Sequence, residues 1–148
     1  PETVRRMVLL RQGVDLCPAM VSQILVAEYC CRGHLDRHLP RIVAHYAVKR
    51  DSMAQALRAS LPAGMAAFAV PEGGFFFWLE LLQQRARELF DAALARDVAF
   101  LPGEVFFPDP AETVGAPLSG ERFARLCFTF AQADEIREGC GRLGRTRT

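Results

Sequence analysis

The first half of the chain carries the apolar spacing of α-helices. Between residues 35 and 61, apolar side chains recur every three or four positions, which places them on one face of a helix. Two shorter helices are predicted before it, over residues 1–12 and 18–32. Pro40 lacks the amide hydrogen that a helix interior uses, so a short turn is expected to precede the main helix.

The second half alternates between strand and helix patterns. Short runs rich in aromatic and β-branched residues are bounded by Pro and Gly, which is typical of strands. Helices are predicted over 84–96 and 133–143, and a surface loop over 109–120. The predicted strands cover residues 65–70, 75–81, 98–101 and 125–130. This order predicts an α+β domain over 34–148, in which helices cover one face of a short sheet, preceded by long linking helices that include an arm over 1–33.

The composition is that of an ordinary globular protein. Apolar residues make up 51% of the 148 residues, which is enough to build a core. The net charge of +1 supports neither nucleic acid nor an anionic membrane as a partner. The longest mostly apolar stretch, residues 17–31, contains Gln23 and Glu28 and is too short to span a bilayer. A cytoplasmic protein that does not bind membranes is expected.

The cysteines form no metal-binding or redox motif. The five are Cys17, Cys30, Cys31, Cys127 and Cys140, and no two of them stand in a CxxC arrangement. Their odd number and irregular spacing predict reduced, buried thiols, as in a cytosolic protein.

Two histidines have a spacing that could share a metal ion. His34 and His38 stand four residues apart on a predicted helix. A third ligand would have to be His45, about 10 Å further along a helix, which is too far for one ion. Arg37 and Arg41 add positive charge beside the pair. Surface or partly packed histidines are therefore predicted, and no metal site.

Arg125 opens an otherwise apolar strand pattern, "RLCFTF" at residues 125–130. Alternation along a strand places Arg125 on the face opposite Leu126, Phe128 and Phe130. A buried guanidinium is costly without a partner, whereas its planar fork suits a carboxylate held by two parallel hydrogen bonds. The residues alone leave two interpretations open, a carboxylate-binding arginine and a surface arginine at the end of a strand.

Five stretches of the chain, taken in order, carry the motifs of one known family. They are "HYAVKRDSMAQAL" (45–57), "PEGGFFFWLEL" (71–81), "VAFLPGEVFF" (98–107), "RLCFTF" (125–130) and "EIREGCGRLGR" (135–145). Together they resemble the C-terminal part of class I aminotransferases, which are pyridoxal phosphate (PLP) enzymes of fold type I. The 2-aminoadipate and aromatic aminotransferase-like enzymes are the most similar subgroup. MocR-type transcriptional regulators carry the same half behind a DNA-binding domain.

The resemblance implies a substrate-binding site. Arg125 stands where the family binds the α-carboxylate of the substrate, and Phe76 stands where the family lines the substrate side of the cleft. Pro102 and Gly103 match a turn at the cleft edge with an architectural role. Arg122 replaces an asparagine that is usual in the family, so the start of this strand is expected to differ.

The aromatic stretch after Pro71 is expected to serve both the core and the wall of the pocket. Phe77 and Trp78 are expected to pack in the core. Gly73 and Gly74 are expected to let the backbone pass tightly into the following strand.

Lys49 is the single lysine of the chain, and the family requires a lysine that forms a Schiff base with PLP. In the family that lysine lies in the large domain, upstream of the similarity. Lys49 is expected to be a solvated lysine in the middle of a helix. The resemblance therefore implies that the upstream domain binds PLP. This chain is expected to contain no catalytic residue and to be inactive alone.

Three functions follow from the resemblance. The first is an aminotransferase, expected as a homodimer, that moves an amino group between an α-amino acid and a 2-oxo acid. The second is the effector-sensing domain of a MocR/GntR-type regulator, for which nucleic acid becomes a partner. The third is an inactive fragment that serves as an interaction surface. The particular residues of these motifs favour the enzyme over the regulator.

Overall fold

The computed structural model describes residues 2–15, 19–107 and 119–146. The chain divides into two compact units, residues 1–43 and 44–148. Within the described residues, none of the helices combines the length and the apolar character that crossing a bilayer requires.

Three helices form the first part of the chain, as the apolar spacing predicts. They are α1 (Glu2–Val14), α2 (Met20–Cys31) and α3 (His34–Ser60). The predicted break near Pro40 is wrong, because α3 is continuous and contains Pro40. A proline removes one hydrogen bond from a helix, and the bonds on either side of Pro40 keep α3 intact.

In its described residues the second unit contains a four-stranded antiparallel sheet, whose strands are β1 (Ala66–Phe68), β2 (Phe76–Leu81), β3 (Leu101–Pro102) and β4 (Phe123–Cys127). Their order in the sheet is β1-β2-β4-β3. Helix α4 (Ala86–Leu94) follows β2, a short 3₁₀ helix (Gly103–Phe106) follows β3, and α5 (Ala133–Gly144) follows β4. The predicted α+β fold is therefore confirmed, with every strand shorter than its apolar run.

The strand predicted to continue to residue 130 ends at Cys127. Phe128 is buried as expected, but Phe130 is 95% exposed. Strand ends depend on where the neighbouring strand stops pairing, and β2 begins at Phe76, the partner of Cys127. Of the loop predicted over 109–120, residues 109–118 lie outside the described residues.

The hydrophobic core lies on one face of the sheet. Alternate residues of β2 and β4 point into it and meet apolar side chains of α3, α4 and α5. The largest fully buried side chains are Phe77, Phe128, Leu57, Leu79, Leu81, Leu89 and Leu143. This arrangement leaves the opposite face of β2 and β4 free to carry other chemistry.

Candidate functional site

The face of the sheet opposite the core carries an arginine among aromatic rings. The burial of β2 alternates, so Phe76 and Trp78 face away from the core. Along β4 the same alternation places Phe123 and Arg125 on that face. The register sets Trp78 directly opposite Arg125. We call this group the aromatic face, and it consists of Phe76, Trp78, Phe106, Phe107, Phe123 and Arg125.

The guanidinium of Arg125 lies over two rings of the aromatic face. Its central carbon is 4.0 Å from the centre of the Phe76 ring and 4.3 Å from the centre of the Phe106 ring. Such contacts attract the cation through the negative faces of the rings. They do not satisfy the five N–H donors of a guanidinium, which seek oxygen acceptors.

Arg125 is half-buried, and no oxygen atom in the described part of the chain accepts a hydrogen bond from it. Other arginines of the second unit differ, because Arg87 pairs with Glu104 and Arg142 pairs with Glu138 and Asp97. A half-buried cation that rings hold in place, and whose donors meet no acceptor among the described residues, is suited to bind a carboxylate.

The 3₁₀ helix Gly103–Phe106 brings Phe106 to Arg125, and two glycines permit its position. A side chain added at Gly103 would place its Cβ 2.6 Å from the Cβ of Phe123 and 2.7 Å from the carbonyl oxygen of Gly120. A Cβ added at Gly120 would lie 2.5 Å from the carbonyl oxygen of Gly103. Only glycine fits at both positions without movement of the backbone. A turn is thus present where the sequence predicts it.

Trp78 belongs to the aromatic face, so its predicted place in the core is wrong. Its side chain is 38% exposed, whereas Phe77 is fully buried as expected. Trp78 stacks on Phe123 with 5.5 Å between ring centres and meets the edge of Phe106 at 5.6 Å. The physical reason is the pleat, which sends consecutive residues of β2 to opposite faces.

Arg122 ties the start of β4 to the end of β2. Its guanidinium donates a hydrogen bond of 2.5 Å to the carbonyl oxygen of Leu82, and its own carbonyl accepts one of 2.7 Å from the amide of Leu81. These bonds give Arg122 an anchoring role in the backbone, at the end of β4 away from Arg125.

Lys49 is buried, and its predicted exposure to solvent is wrong. Only 7% of the residue is exposed, and its Nζ donates a hydrogen bond of 2.8 Å to the carbonyl oxygen of Thr129. Lys49 lies on the side of α3 that faces the segment following β4, so its aliphatic stem is covered. The single lysine of the chain is therefore engaged, and the residues of this chain do not fit the covalent attachment of PLP.

Gly73 and Gly74 have open space around them, so the predicted close approach of the backbone is wrong. A Cβ built on either residue meets nothing within 4 Å. Gly74 has a φ of +79°, a left-handed conformation that glycine adopts readily. Its role lies in the shape of the turn before β2.

Of the cysteines that the structure describes, Cys140 alone is buried as predicted. Cys30, Cys31 and Cys127 are exposed free thiols, and Cys17 lies outside the described residues. Loss of solvation raises the pKa of the Cys140 thiol to about 11.

The histidine pair lies on the surface, as predicted. His34 Nδ1 lies 3.0 Å from a guanidinium nitrogen of Arg37, and the His34 ring stacks on Tyr29. In the ranges that the structure describes, no three metal-binding side chains come together.

Four members of the aromatic face are absent from the predicted site, namely Trp78, Phe106, Phe107 and Phe123. A signal for two of them is present in the sequence. If Phe76 and Arg125 share a face, the alternation of two paired strands also assigns Trp78 and Phe123 to it. Phe106 and Phe107 have no such signal, because they lie outside the paired strands, at the end of a 3₁₀ helix whose position depends on the contact between Gly103 and Gly120.

The chain is similar over nearly its whole length to curated aminotransferases. It is 36% identical over 147 residues to aromatic-amino-acid aminotransferase 1 of Thermococcus litoralis, and the match covers 99% of this chain and 33% of the relative. It is 36% identical over 146 residues to 2-aminoadipate transaminase of Thermus thermophilus, and the match covers 98% of this chain and 34% of the relative. The chain thus spans about a third of the length of these relatives.

A weaker similarity links the chain to a regulator. It is 24% identical over 146 residues to the uncharacterized HTH-type transcriptional regulator YdfD of Bacillus subtilis, and the match covers 97% of this chain and 28% of the relative. No family model matches the chain.

Solved aminotransferase structures share the fold. One is the kynurenine aminotransferase of Pyrococcus horikoshii, with a TM-score of 0.83 and 32% identity over 99% of this chain and 34% of that chain. Another is LysN, the α-aminoadipate aminotransferase of Thermus thermophilus, with a TM-score of 0.78 and 36% identity over 99% of this chain and 35% of that chain.

Proposed function

We propose that this chain, a C-terminal segment of a fold type I aminotransferase, supplies the arginine that binds the carboxylate of an amino-acid substrate. The observation that carries the proposal is the half-buried guanidinium of Arg125, which lies over Phe76 and Phe106. No oxygen in the described ranges accepts a hydrogen bond from it. A substrate carboxylate supplies the missing acceptors.

The chemistry of amino-group transfer makes one carboxylate site sufficient. An α-amino acid and a 2-oxo acid both carry a carboxylate next to the reacting carbon, so Arg125 can bind either one. Holding that end of the substrate restricts the orientation of the reacting carbon and lowers the entropic part of the barrier. The ring of Phe76 contacts the guanidinium, and in this proposal Phe76 also forms part of the wall that the substrate meets.

PLP is the cofactor of the proposed enzyme, and it supplies the electron-withdrawing system on which the amino group is exchanged. We assign its binding to the part of the protein outside this chain, because Lys49 is buried and bonded to Thr129. In this proposal residues 34–148 form the small domain, and residues 1–33 form an arm that links it to the PLP-binding domain.

The proposed enzyme is a cytoplasmic homodimer. Exposed apolar side chains along α1 and α2 support a contact with further protein surface. They include Leu10, which is 71% exposed, and Leu25, which is 65% exposed. Light scattering on the full-length protein measures the number of copies in the assembly. A monomer at all concentrations would contradict this part of the proposal.

The decisive experiment uses the full-length protein with PLP and the Arg125→Ala variant. Candidate amino acids are titrated while the absorbance of the bound cofactor is followed. A hydrogen-bonded charge contributes about 1.5–3 kcal/mol, so the variant should bind amino acids roughly ten- to a hundredfold more weakly. The amount of PLP bound should not change. The exposed Arg58 on α3 offers a matched control as Arg58→Ala, and equal affinities in Arg125→Ala and wild type would refute the proposal.

The second candidate function is the effector-sensing domain of a MocR-type regulator, which the similarity to a transcriptional regulator favours. The same arginine would then bind an amino-acid effector without turnover. Product formation from an amino acid and a 2-oxo acid distinguishes the two functions. An amino acid that changes DNA binding, with no product formed, would favour the regulator.

A further inference from the structure

Lys49 carries a buried charge that packing alone does not require. Its Nζ is bonded to the carbonyl oxygen of Thr129, 80 residues further along the chain. No carboxylate in the described ranges forms an ion pair with it. An apolar side chain of similar length would fill this space without the cost of desolvating an ammonium group. The feature that lysine provides here, and that an apolar side chain would not, is therefore the hydrogen bond to Thr129.

At one end of the sheet, helix α3 contacts the residues that flank both strands of the site. Tyr46, three residues before Lys49 and on the same side of the helix, meets the ring of Phe75 at 5.1 Å. The amide of Phe128 donates a hydrogen bond of 3.2 Å to the carbonyl oxygen of Phe75. Tyr46 thus contacts the residue that precedes β2, and Lys49 holds the segment that follows β4.

The held end of the sheet is the end that carries the site. Phe76 pairs with Cys127, and Arg125 lies two residues before Cys127 on β4. A shift of the end of β4 would change the distance between the Arg125 guanidinium and the Phe76 ring. Thr129 also contacts Cys127, with 3.1 Å between Oγ1 and Sγ, so the end of β4 is linked to the residue that Lys49 holds.

We propose that Lys49 is a positioning residue, whose hydrogen bond to Thr129 fixes the end of β4 and so keeps Arg125 over Phe76. The inference rests on the proposed function, because the position of Arg125 is important only if it binds a carboxylate. A charged donor forms a shorter and stronger bond to a carbonyl than a neutral donor does. The four-carbon stem of lysine gives it the reach from α3 to the segment beyond the strand.

The test compares Lys49→Met, Lys49→Arg and the exposed control Arg58→Met in the full-length protein loaded with PLP. Each variant is titrated with an amino acid that wild type binds and with the amine that lacks its carboxylate. Lys49→Met should raise the Kd of the amino acid roughly tenfold and leave the Kd of the amine unchanged, since only the carboxylate contacts Arg125. Lys49→Arg keeps a charged donor and should recover most of the affinity, and Arg58→Met should match wild type.

Two outcomes of the titrations would overturn the inference. One is an unchanged Kd of the amino acid in Lys49→Met. The other is an equal loss of affinity for amino acid and amine, which would indicate general damage to the fold.

Hydrogen exchange measures how readily the hydrogen bonds at the end of the strand open, and it requires no ligand. In Lys49→Met the amide of Phe128 should exchange at least about tenfold faster than in wild type, while amides of α4 keep their rates. If wild type binds no amino acid, the proposed function fails, and this exchange rate alone decides whether Lys49 holds the strand. An unchanged rate at Phe128 would overturn that role.

Discussion

The guanidinium carbon of Arg125 on β4 lies 4.0 Å from the centre of the Phe76 ring on β2, although the two residues are far apart in the sequence. The antiparallel pairing of β2 and β4 creates this contact by placing both side chains on the face opposite the core. The same strands bury Phe77 and Leu126 on their other face. One pair of strands therefore supplies both the centre of the core and the candidate site.

We predict that replacing neighbouring phenylalanines of β2 separates binding from stability. Phe76→Leu removes a cation–π contact of about 0.5–1 kcal/mol, so the affinity of the full-length protein for amino acids should fall roughly two- to fivefold. Phe77→Ala empties a fully buried position and should lower the free energy of unfolding by about 3–5 kcal/mol. Ligand titration and urea unfolding measure the two effects. A large loss of stability in Phe76→Leu would show that its ring belongs to the core.

We predict opposite effects of alanine at two glycines of α5. Gly139 has nothing within 4 Å of an added Cβ, so Gly139→Ala should stabilise the helix by about 0.5–1 kcal/mol. At Gly144 the added Cβ would lie 2.0 Å from the carbonyl oxygen of Ser60. Gly144→Ala should therefore destabilise the fold by about 1–3 kcal/mol. Thermal unfolding of the two variants tests the packing of α5 on the end of α3, and similar melting temperatures would contradict it.

We predict that only the second glycine of the Gly73-Gly74 pair is required. The left-handed conformation of Gly74 makes Gly74→Ala costly by roughly 1 kcal/mol, although no atom lies within 4 Å. Gly73→Ala should change the free energy of unfolding by less than about 0.5 kcal/mol. Chemical denaturation of both variants tests whether glycine is required for its backbone conformation or because a side chain would not fit. Equal destabilisation by both substitutions would argue against this assignment.

We predict that Cys140 makes stability dependent on alkaline pH. Burial raises the pKa of its thiol from 9.0 to about 11, so the folded protein favours the neutral thiol. This stabilisation is fully present below the ordinary pKa of 9.0 and is lost as the pH rises through about 11. Urea unfolding across this range should show a steeper loss for wild type than for Cys140→Ala.

Thiol labelling gives an independent measurement on the same residue. Iodoacetamide at mildly alkaline pH should modify the exposed Cys127 and leave Cys140 unmodified until urea unfolds the protein. Mass spectrometry of the peptides identifies each site. Equal labelling of the two cysteines in the folded state would contradict the burial of Cys140.

The placement of a side chain can be predicted from the sequence where it depends only on immediate neighbours. The alternation in β2 is sufficient to place Phe77 in the core, and the same alternation places Trp78 on the opposite face. Arg125 stands out in the sequence because a guanidinium in an apolar strand ends either in solvent or against an anion. Its contact with Phe106 could not be predicted, because that ring is carried by a 3₁₀ helix whose position depends on Gly103 and Gly120.

The sequence by itself determined the order of helices and strands, because apolar spacing and turn residues act over a few neighbouring positions. It also determined which family the motifs resemble. Only the tertiary structure decided that Lys49 is buried, since its partner Thr129 lies 80 residues away. It likewise decided where each strand ends and which rings surround Arg125. These features arise from contacts between distant segments, which no local pattern of residues encodes.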